Sequence, residues 1–285
     1  MHGVSTKRMA WGVRRLVRGL LCSLAAFVLG ALASPAGLTA AVCLTPHRAV
    51  YSLDLGTARG DSNVTQARGR LEFEWDDVCD GWTVRQRTSL SVVHRNGGEV
   101  NSNWTINSWE SKDGLSYRFF IRHFTPGGEA EVLKGAARLD GPGEGGVATY
   151  RGTEERRLEL PRGTLFPTKH SLEMMALAER GALPVWRILF DGFGQDDLQG
   201  VSAALVKSIG ESESTSIESD LIAGQPSWRI RLAYFPLDKQ ALEPDREQGF
   251  RIFANGVVDE LVIDYGDFTI DAVLEDLKPL PESGC

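Results

Sequence analysis

Segments of alternating apolar and polar residues follow one another along almost the whole chain, with tight-turn sequences between them. The runs RGRLEFEW (68–75) and WTVRQRTSLSVV (82–93) both have a period of two, which is the period of a β-strand with one buried face. Their connections are rich in Gly, Asn, Asp and Pro, as tight turns require. Asn255-Gly256 is the strongest hairpin signal in the chain. The pattern therefore predicts successive antiparallel strands.

One segment breaks this pattern and has helical spacing. PTKHSLEMMALAERGALP (167–184) places apolar residues three and four positions apart, with Thr168 as the candidate N-cap and Ser171 as the alternative. Gly181 and Pro184 end the run, so one principal helix is expected near 168–181. About a dozen or more strands without alternating helices exclude a doubly wound fold. The chain is predicted to be mainly β, a single barrel-like, curled antiparallel sheet with one helix.

The N-terminal residues have the features of a secretory signal peptide. Five basic residues lie within positions 7–18, an apolar run spans 20–33, and Ala31-Leu32-Ala33 provides a small-x-small cleavage site. Residues 1–33 are therefore predicted to be removed, with cleavage between 33 and 41, and 44–285 to form one domain. A membrane anchor is the alternative, although the apolar run is short for a transmembrane helix. The exported product is expected in the periplasm.

Export changes both the charge and the chemistry of the cysteines. Removal of five basic and no acidic residues takes the formal charge from −7 to −12, which does not favour a nucleic-acid partner. Cys43, Cys79 and Cys285 remain, in a compartment where disulfides persist. A bond between Cys79 and Cys285 would tie down the chain end. A bond between Cys43 and Cys79 is the alternative, and the role of Cys43 stays open.

Motifs for catalysis or cofactor binding are weak or absent. GPGEGG (141–146) matches GxGxxG, but a strand-like run follows it where a phosphate-binding loop needs a helix, so a hairpin loop is expected. The sequence contains no GxSxG, HExxH or SxxK motif. The histidines are too dispersed for a metal signature. No catalytic residue, metal or cofactor is predicted, and the chain is not expected to be an enzyme.

Arginines on the polar faces of strands are the one distribution that suggests binding. Arg85, Arg87, Arg118 and Arg122 recur at i, i+2 or i, i+4 spacing, so each pair shares one face of its strand. They could form exposed cross-strand pairs with acidic residues. Alternatively, they could line the wall of a cavity that receives an anionic or amphipathic ligand. These four residues are the candidate ligand or partner surface.

Several segments, taken in order, resemble the EipB family of cell-envelope integrity proteins. They are TPHRAVYSLDL, the Asp-rich turn around Cys79, FPTKHSLEMMALAERG, and the terminal cysteine after KPLPESG. The resemblance covers about 44–285. It implies a periplasmic protein of Gram-negative bacteria, a spiral, barrel-like β-sheet with a helix packed at the barrel, and a disulfide between Cys79 and Cys285. It also implies an association with tetratricopeptide-repeat proteins and provides no catalytic residues.

The leading hypothesis is a non-enzymatic periplasmic protein that supports envelope integrity by binding a partner protein or a ligand. The expected partner is a periplasmic tetratricopeptide-repeat protein, and the expected ligand is a lipid or another anionic envelope component. One alternative is a carrier of lipid or lipoprotein acyl chains, which needs a large apolar interior. The other is an uncharacterised enzyme, which needs converging polar groups in a cleft.

Overall fold

Fifteen strands and one helix form the part of the chain that the structure describes. This computed structural model describes residues 44–284 apart from 61, 125, 153–154, 194–197, 211–212, 238–241 and 282. The predicted signal peptide and Cys285 lie outside the described residues. The elements are β1 His47–Ala58, β2 Val64–Asp77, β3 Gly81–His94, β4 Glu99–Ser111, β5 Ser116–Phe124, β6 Glu131–Leu139, β7 Gly146–Tyr150, β8 Arg156–Leu160, β9 Thr164–Leu165, α1 Pro167–Glu179, β10 Val185–Phe190, β11 Leu198–Ile209, β12 Ser227–Pro236, β13 Arg246–Phe253, β14 Val258–Asp264 and β15 Phe268–Pro279.

The strands form one sheet that starts at β1 and runs outward in both directions. β2 to β8 follow β1 on one side in chain order, and β15 to β9 follow on the other side in reverse order. Neighbouring strands are antiparallel except β9 and β10, which are parallel. The two edge strands, β8 and β9, are joined by residues 161–163, and the N–H of Gly163 reaches the carbonyl of Gly143 at 3.2 Å. The predicted barrel-like antiparallel sheet is confirmed and is nearly closed.

The alternation seen in the sequence becomes an inner and an outer face of this sheet. In β5, Tyr117, Phe119 and Ile121 are buried, whereas Arg118 and Arg122, at the alternate positions, are exposed. This difference follows from the pleat, which sends successive side chains to opposite faces. The hairpin predicted at Asn255-Gly256 is also confirmed, since it joins β13 to β14 with Gly256 at a positive φ of 89°.

Helix α1 packs against the inner face of the sheet. Met174, Met175 and Ala178 are buried in one cluster with Val201 of β11 and Ile230 of β12. Full burial of one large apolar side chain contributes roughly 2 kcal/mol, so this contact is a major part of the core. A barrel of about eight strands is just wide enough for its own side chains to fill. A sheet of fifteen strands encloses more space, and α1 occupies part of it.

The predicted caps of α1 are wrong at its N-terminus and correct at its C-terminus. Phe166 occupies the N-cap position with extended backbone and makes no side-chain cap, because a residue before proline avoids helical dihedrals. Thr168 and Ser171 therefore lie inside the helix, where the Ser171 hydroxyl donates to the carbonyl of Pro167 at 2.9 Å. Gly181 follows the helix with a positive φ of 63°, as expected for a helix end.

A carboxylate on a distant strand takes the place of the missing side-chain cap of α1. Glu110, near the end of β4, accepts hydrogen bonds from the backbone N–H groups of Thr168 and Lys169, each at 2.7 Å. The residue is only 2% exposed. The first N–H groups of a helix have no partner within the helix and carry partial positive charge. Glu110 therefore fixes the helix start to the sheet.

Segment 210–220, which is poor in apolar residues, is a loop whose described residues are exposed or half-buried. Its described part packs on β13 and β14, where the side chains of Arg251 and Asp259 form a buried ion pair. Arg251 also donates to the carbonyl of Ser214 at 2.9 Å, and the N–H of Ser216 reaches Asp259 at 3.3 Å. Just after the segment, Ile222 is 1% exposed within the core. The segment therefore covers a buried charge pair.

Two buried titratable groups at α1 affect stability in opposite directions. Burial raises the pKa of Glu110 to about 7, even though the helix N–H groups oppose this shift, and burial lowers the pKa of His170 to about 4. Between about pH 4.5 and 7, folded Glu110 holds a proton that the unfolded chain releases, so its contribution to stability falls as pH rises. Between about pH 4 and 6.5, unfolded His170 binds a proton that the folded chain does not, so its contribution falls as pH falls.

We expect these two effects to oppose each other in the wild type and to separate in variants. Glu110→Gln keeps a carbonyl oxygen for the helix N–H groups but removes the carboxyl titration. As the pH falls from 6.5 to 5, the unfolding free energy of the variant should therefore fall by about 1 to 2 kcal/mol relative to that of the wild type. The reason is that Glu110 no longer offsets His170 and His47, and burial lowers the pKa of both histidines. His170→Asn should show the opposite slope. Urea unfolding at several pH values measures both, and parallel profiles for wild type and E110Q would contradict this account.

Candidate functional site

The four arginines singled out in the sequence lie together on the outer face of the sheet. Arg85 and Arg87 belong to β3, Arg118 and Arg122 belong to β5, and all four are exposed. The two members of each pair lie an even number of positions apart, so the pleat of the strand places both on the same face. They point away from the inner face, so they do not form the wall of an internal cavity.

The register of the strands brings these side chains close to one another. β4 lies between β3 and β5, so Arg87 and Arg122 stand on either side of Thr105 in one cross-strand row. The backbones at Arg87 and Arg122 are two strand spacings apart, which is about 10 Å. The neighbouring row contains Arg85, Asn107 and Phe120 and continues to Lys134 on β6. The basic face is defined here as Arg85, Arg87, Arg118, Arg122, Lys134 and Phe120.

Three cations of the basic face form no ion pair with any residue that the structure describes. Arg85 lies 3.3 Å from Glu74, and the guanidinium of Arg118 stacks over Trp109 at 4.7 Å. Among the described residues, no carboxylate lies within 4 Å of the other three cations, which are Arg87, Arg122 and Lys134.

Glu72 lies opposite Arg87 but is held by other arginines. Glu72 bonds Arg48 at 3.1 Å and Arg70 at 3.4 Å. The hydrogen bond from Arg48 holds the pKa of Glu72 below its usual value. The acidic groups of β2 therefore leave Arg87 free to interact with a binding partner.

The basic face also carries apolar surface. Phe120 and nearby Phe124 are each 38% exposed, and Val132 is 44% exposed. Exposed aromatic and arginine side chains together are typical of protein interfaces. In a chain of net negative charge, this arrangement can attract and bind an acidic surface.

Sequence reasoning found the arginines but missed Lys134. Lys134 lies on the polar side of AEVLKGAARL, and its membership depends on the β5–β6 register, which pairs it with Phe120. The alternating pattern gives the face of a residue within its strand but not its neighbour across strands.

The described histidines are spread over several elements. His47 and His170 are buried on different elements. Across the described part of the chain, no three His, Cys, Asp or Glu residues are arranged to hold a metal ion.

Cys79 lies in the turn between β2 and β3, close to the end of the described chain. It has a positive φ of 65°, and its N–H donates to the Asp77 carboxylate at 3.0 Å. Ser283 also hydrogen-bonds Asp77, and Lys112 lies 2.7 Å from it. Burial alone would raise the pKa of Asp77, but these hydrogen bonds lower it. The tail thus returns to the Cys79 turn two residues before Cys285.

The bond between Cys79 and Cys285 stays a prediction, and Cys285→Ser tests it. We expect this variant to melt several degrees lower under oxidising conditions, because the bond closes a loop of about 207 residues in the unfolded chain. Reductant should then destabilise the wild type but not the variant. Peptide mapping without reduction is the direct check. A Cys43–Cys79 crosslink with Cys285 alkylated would show that the alternative pairing is correct.

The fold and its outer surface describe a barrel-like β protein with a helix in its core. The family model described as EipB-like matches residues 38–281, and the chain therefore belongs to the EipB-like family. It is 29% identical over 251 residues to the cell envelope integrity protein EipB of Brucella abortus, covering 86% of this chain and 87% of that protein. A crystal structure of a β-barrel-like protein of a domain of unknown function, also from Brucella abortus, is similar with a TM-score of 0.76 at 26% identity. That match covers 85% of this chain and all of the other.

Proposed function

We propose that this protein supports the integrity of the cell envelope as a non-enzymatic periplasmic protein, and that it binds a partner protein through the basic face. The observation that carries the proposal is a group of three cations, without an ion pair to any described residue, around the exposed Phe120 on one outer surface. The name of the Brucella relative supports the role in the envelope. The signal-peptide pattern of residues 1–33 supports export.

The packing of the interior favours binding on the outside. Met174 and Met175 of α1 are 4% and 0% exposed, and they pack against strands that would have to line a cavity for acyl chains. A carrier would need to displace α1, which would expose the apolar groups of both surfaces to water. A lipid or lipoprotein carrier is therefore the less favoured function. An enzyme is also less favoured, because the basic face contains no nucleophile beside a general base.

The chemistry of the basic face indicates the kind of partner. A binding surface of arginine, lysine and phenylalanine complements an acidic surface with apolar pockets. The resemblance to EipB proteins suggests a periplasmic tetratricopeptide-repeat protein, whose stacked helices offer a concave surface. Charge attraction would increase the association rate, so binding is expected to weaken as salt is raised.

The double variant Arg87→Gln and Arg122→Gln tests this surface. Both side chains lack an ion pair among the described residues, so unfolding free energy should change little. We expect loss of envelope function in a deletion strain, measured as sensitivity to detergent. Pull-down from periplasmic extract should recover about tenfold less of an acidic partner.

The matched control removes two positive charges elsewhere. Arg157→Gln and Arg231→Gln alter exposed arginines of β8 and β12, and this variant should behave as wild type. Full complementation by R87Q/R122Q, or equal loss in both double variants, would contradict a role for the basic face.

A further inference from the structure

A cleft lies where the two edges of the sheet approach each other. It has a volume of about 550 Å³ and is bounded by residues 112–115, 140–145 and 161–163, which are three turns, and by α1 and the start of β10. Beside it, Tyr117, Phe166 and Phe190 pack as a buried aromatic group, with Tyr117 and Phe166 centred 5.3 Å apart. Binding clefts for small ligands have volumes of about 300 to 1,000 Å³.

The floor of the cleft is apolar. Leu115, Leu139, Leu165 and Ile188 line it, and Trp186 stands at its rim with 48% of its surface exposed. Solvent-accessible apolar surface in a concave site favours binding of an apolar chain. An exposed tryptophan ring can cover such a chain while remaining in contact with water.

Among the charged residues that line the cleft, one cation is available to bind an anionic group. Glu173 is bonded by Arg187, with Nε 2.8 Å from the carboxylate, and Arg162 is bonded to Glu144. Lys169 also lines the cleft and is exposed, and none of the described carboxylates lies within 4 Å of it.

Asp113 and Gly114, in the turn that bounds the cleft, have defined contacts. The carboxylate of Asp113 accepts the N–H of Leu115 at 2.9 Å and the hydroxyl of Ser111 at 2.5 Å. The stem of Lys169 runs so close to Gly114 that a Cβ there would meet it at about 3.0 Å. The stem of Lys169 is thus packed on the turn that contains Gly114, at the lining of the cleft.

We propose that this cleft binds a single-chain amphipathic anion. The hydrocarbon chain would lie on the floor formed by Leu115, Leu165 and Ile188, and the carboxylate or phosphate would lie against Lys169. The chemistry fits a free fatty acid and a single-chain phosphate ester equally, since both join one anionic head to one apolar chain. The site uses no residue of the basic face, and it is on the surface rather than in the interior occupied by α1.

Calorimetry with alkyl ligands below their micellar concentrations tests the proposal. We expect decanoate to bind with a stoichiometry of one. Octanoate should bind roughly fifteenfold more weakly, because each buried methylene is worth roughly a fourfold change in affinity. Decyltrimethylammonium has the same chain with the opposite charge and should bind at least tenfold more weakly. A parallel titration with decyl phosphate shows which head group Lys169 prefers, and tighter binding of either anion than of the cation supports the site.

Two lysine variants locate the binding site. Lys169→Gln should weaken decanoate binding about tenfold and leave decanol binding unchanged, because only the anionic head contacts Lys169. Lys134→Gln, which removes the same charge from the basic face, should have no effect. Equal loss in both variants, no dependence on chain length, or equal affinity for the cationic ligand would overturn the proposal.

A second variant tests the floor without changing charge. Trp186→Ala alters an exposed side chain, so the fold should persist, and the affinity for both decanoate and decanol should fall. Unchanged binding in W186A would contradict the proposed position of the chain. The R87Q/R122Q variant should bind decanoate normally, so failure of the basic face and failure of the cleft can be told apart.

Discussion

The packing of α1 against the inner face of the sheet is the contact on which the rest of the molecule depends. Fifteen strands curl around a space that their own side chains cannot fill, and an empty apolar space loses dispersion contacts on every side. Met174, Met175 and Ala178 provide part of the missing volume. Glu110 fixes the direction of the helix by binding its first N–H groups. The sheet and the helix therefore stabilise each other.

This arrangement determines where the protein can interact with other molecules. Since α1 packs inside, the surfaces open to other molecules are the outer face and the gap between β8 and β9. The outer face offers the cations around Phe120, and the gap offers the apolar cleft beside Lys169. The two surfaces differ in chemistry, which is why a protein partner is proposed for one and a small amphipathic anion for the other.

Much of the fold could be predicted from local patterns. The period of two predicted the strands and placed Arg85 and Arg87 on one face of β3, although it did not decide whether that face points outward. The turn at Asn255-Gly256 predicted a hairpin. The helix near 168–181 was also predictable, because its apolar spacing and Gly181 are local signals. Each of these features depends on residues a few positions apart in the chain.

Features that depend on distant residues could not be predicted. The N-cap moved to Phe166 because of the adjacent proline, but the partner of the first helix N–H groups is Glu110, 58 positions before Thr168, and no local signal indicates it. Lys134 joined the basic face only through the pairing of β5 with β6. The cleft beside Lys169 is formed by three turns that no local pattern relates to one another. Register and closure of the sheet are tertiary properties.

Hydrogen exchange of the α1 amides tests most directly whether this interior is a permanent core. The account predicts that the amides of Met174 to Ala178 exchange only through global unfolding, with the same free energy of opening as the central amides of β11 and β12. Amides of α1 that exchange through a lower-energy opening, while β11 and β12 stay protected, would contradict it. Such a result would mean that the helix leaves the sheet in the native state and that the interior can admit a ligand.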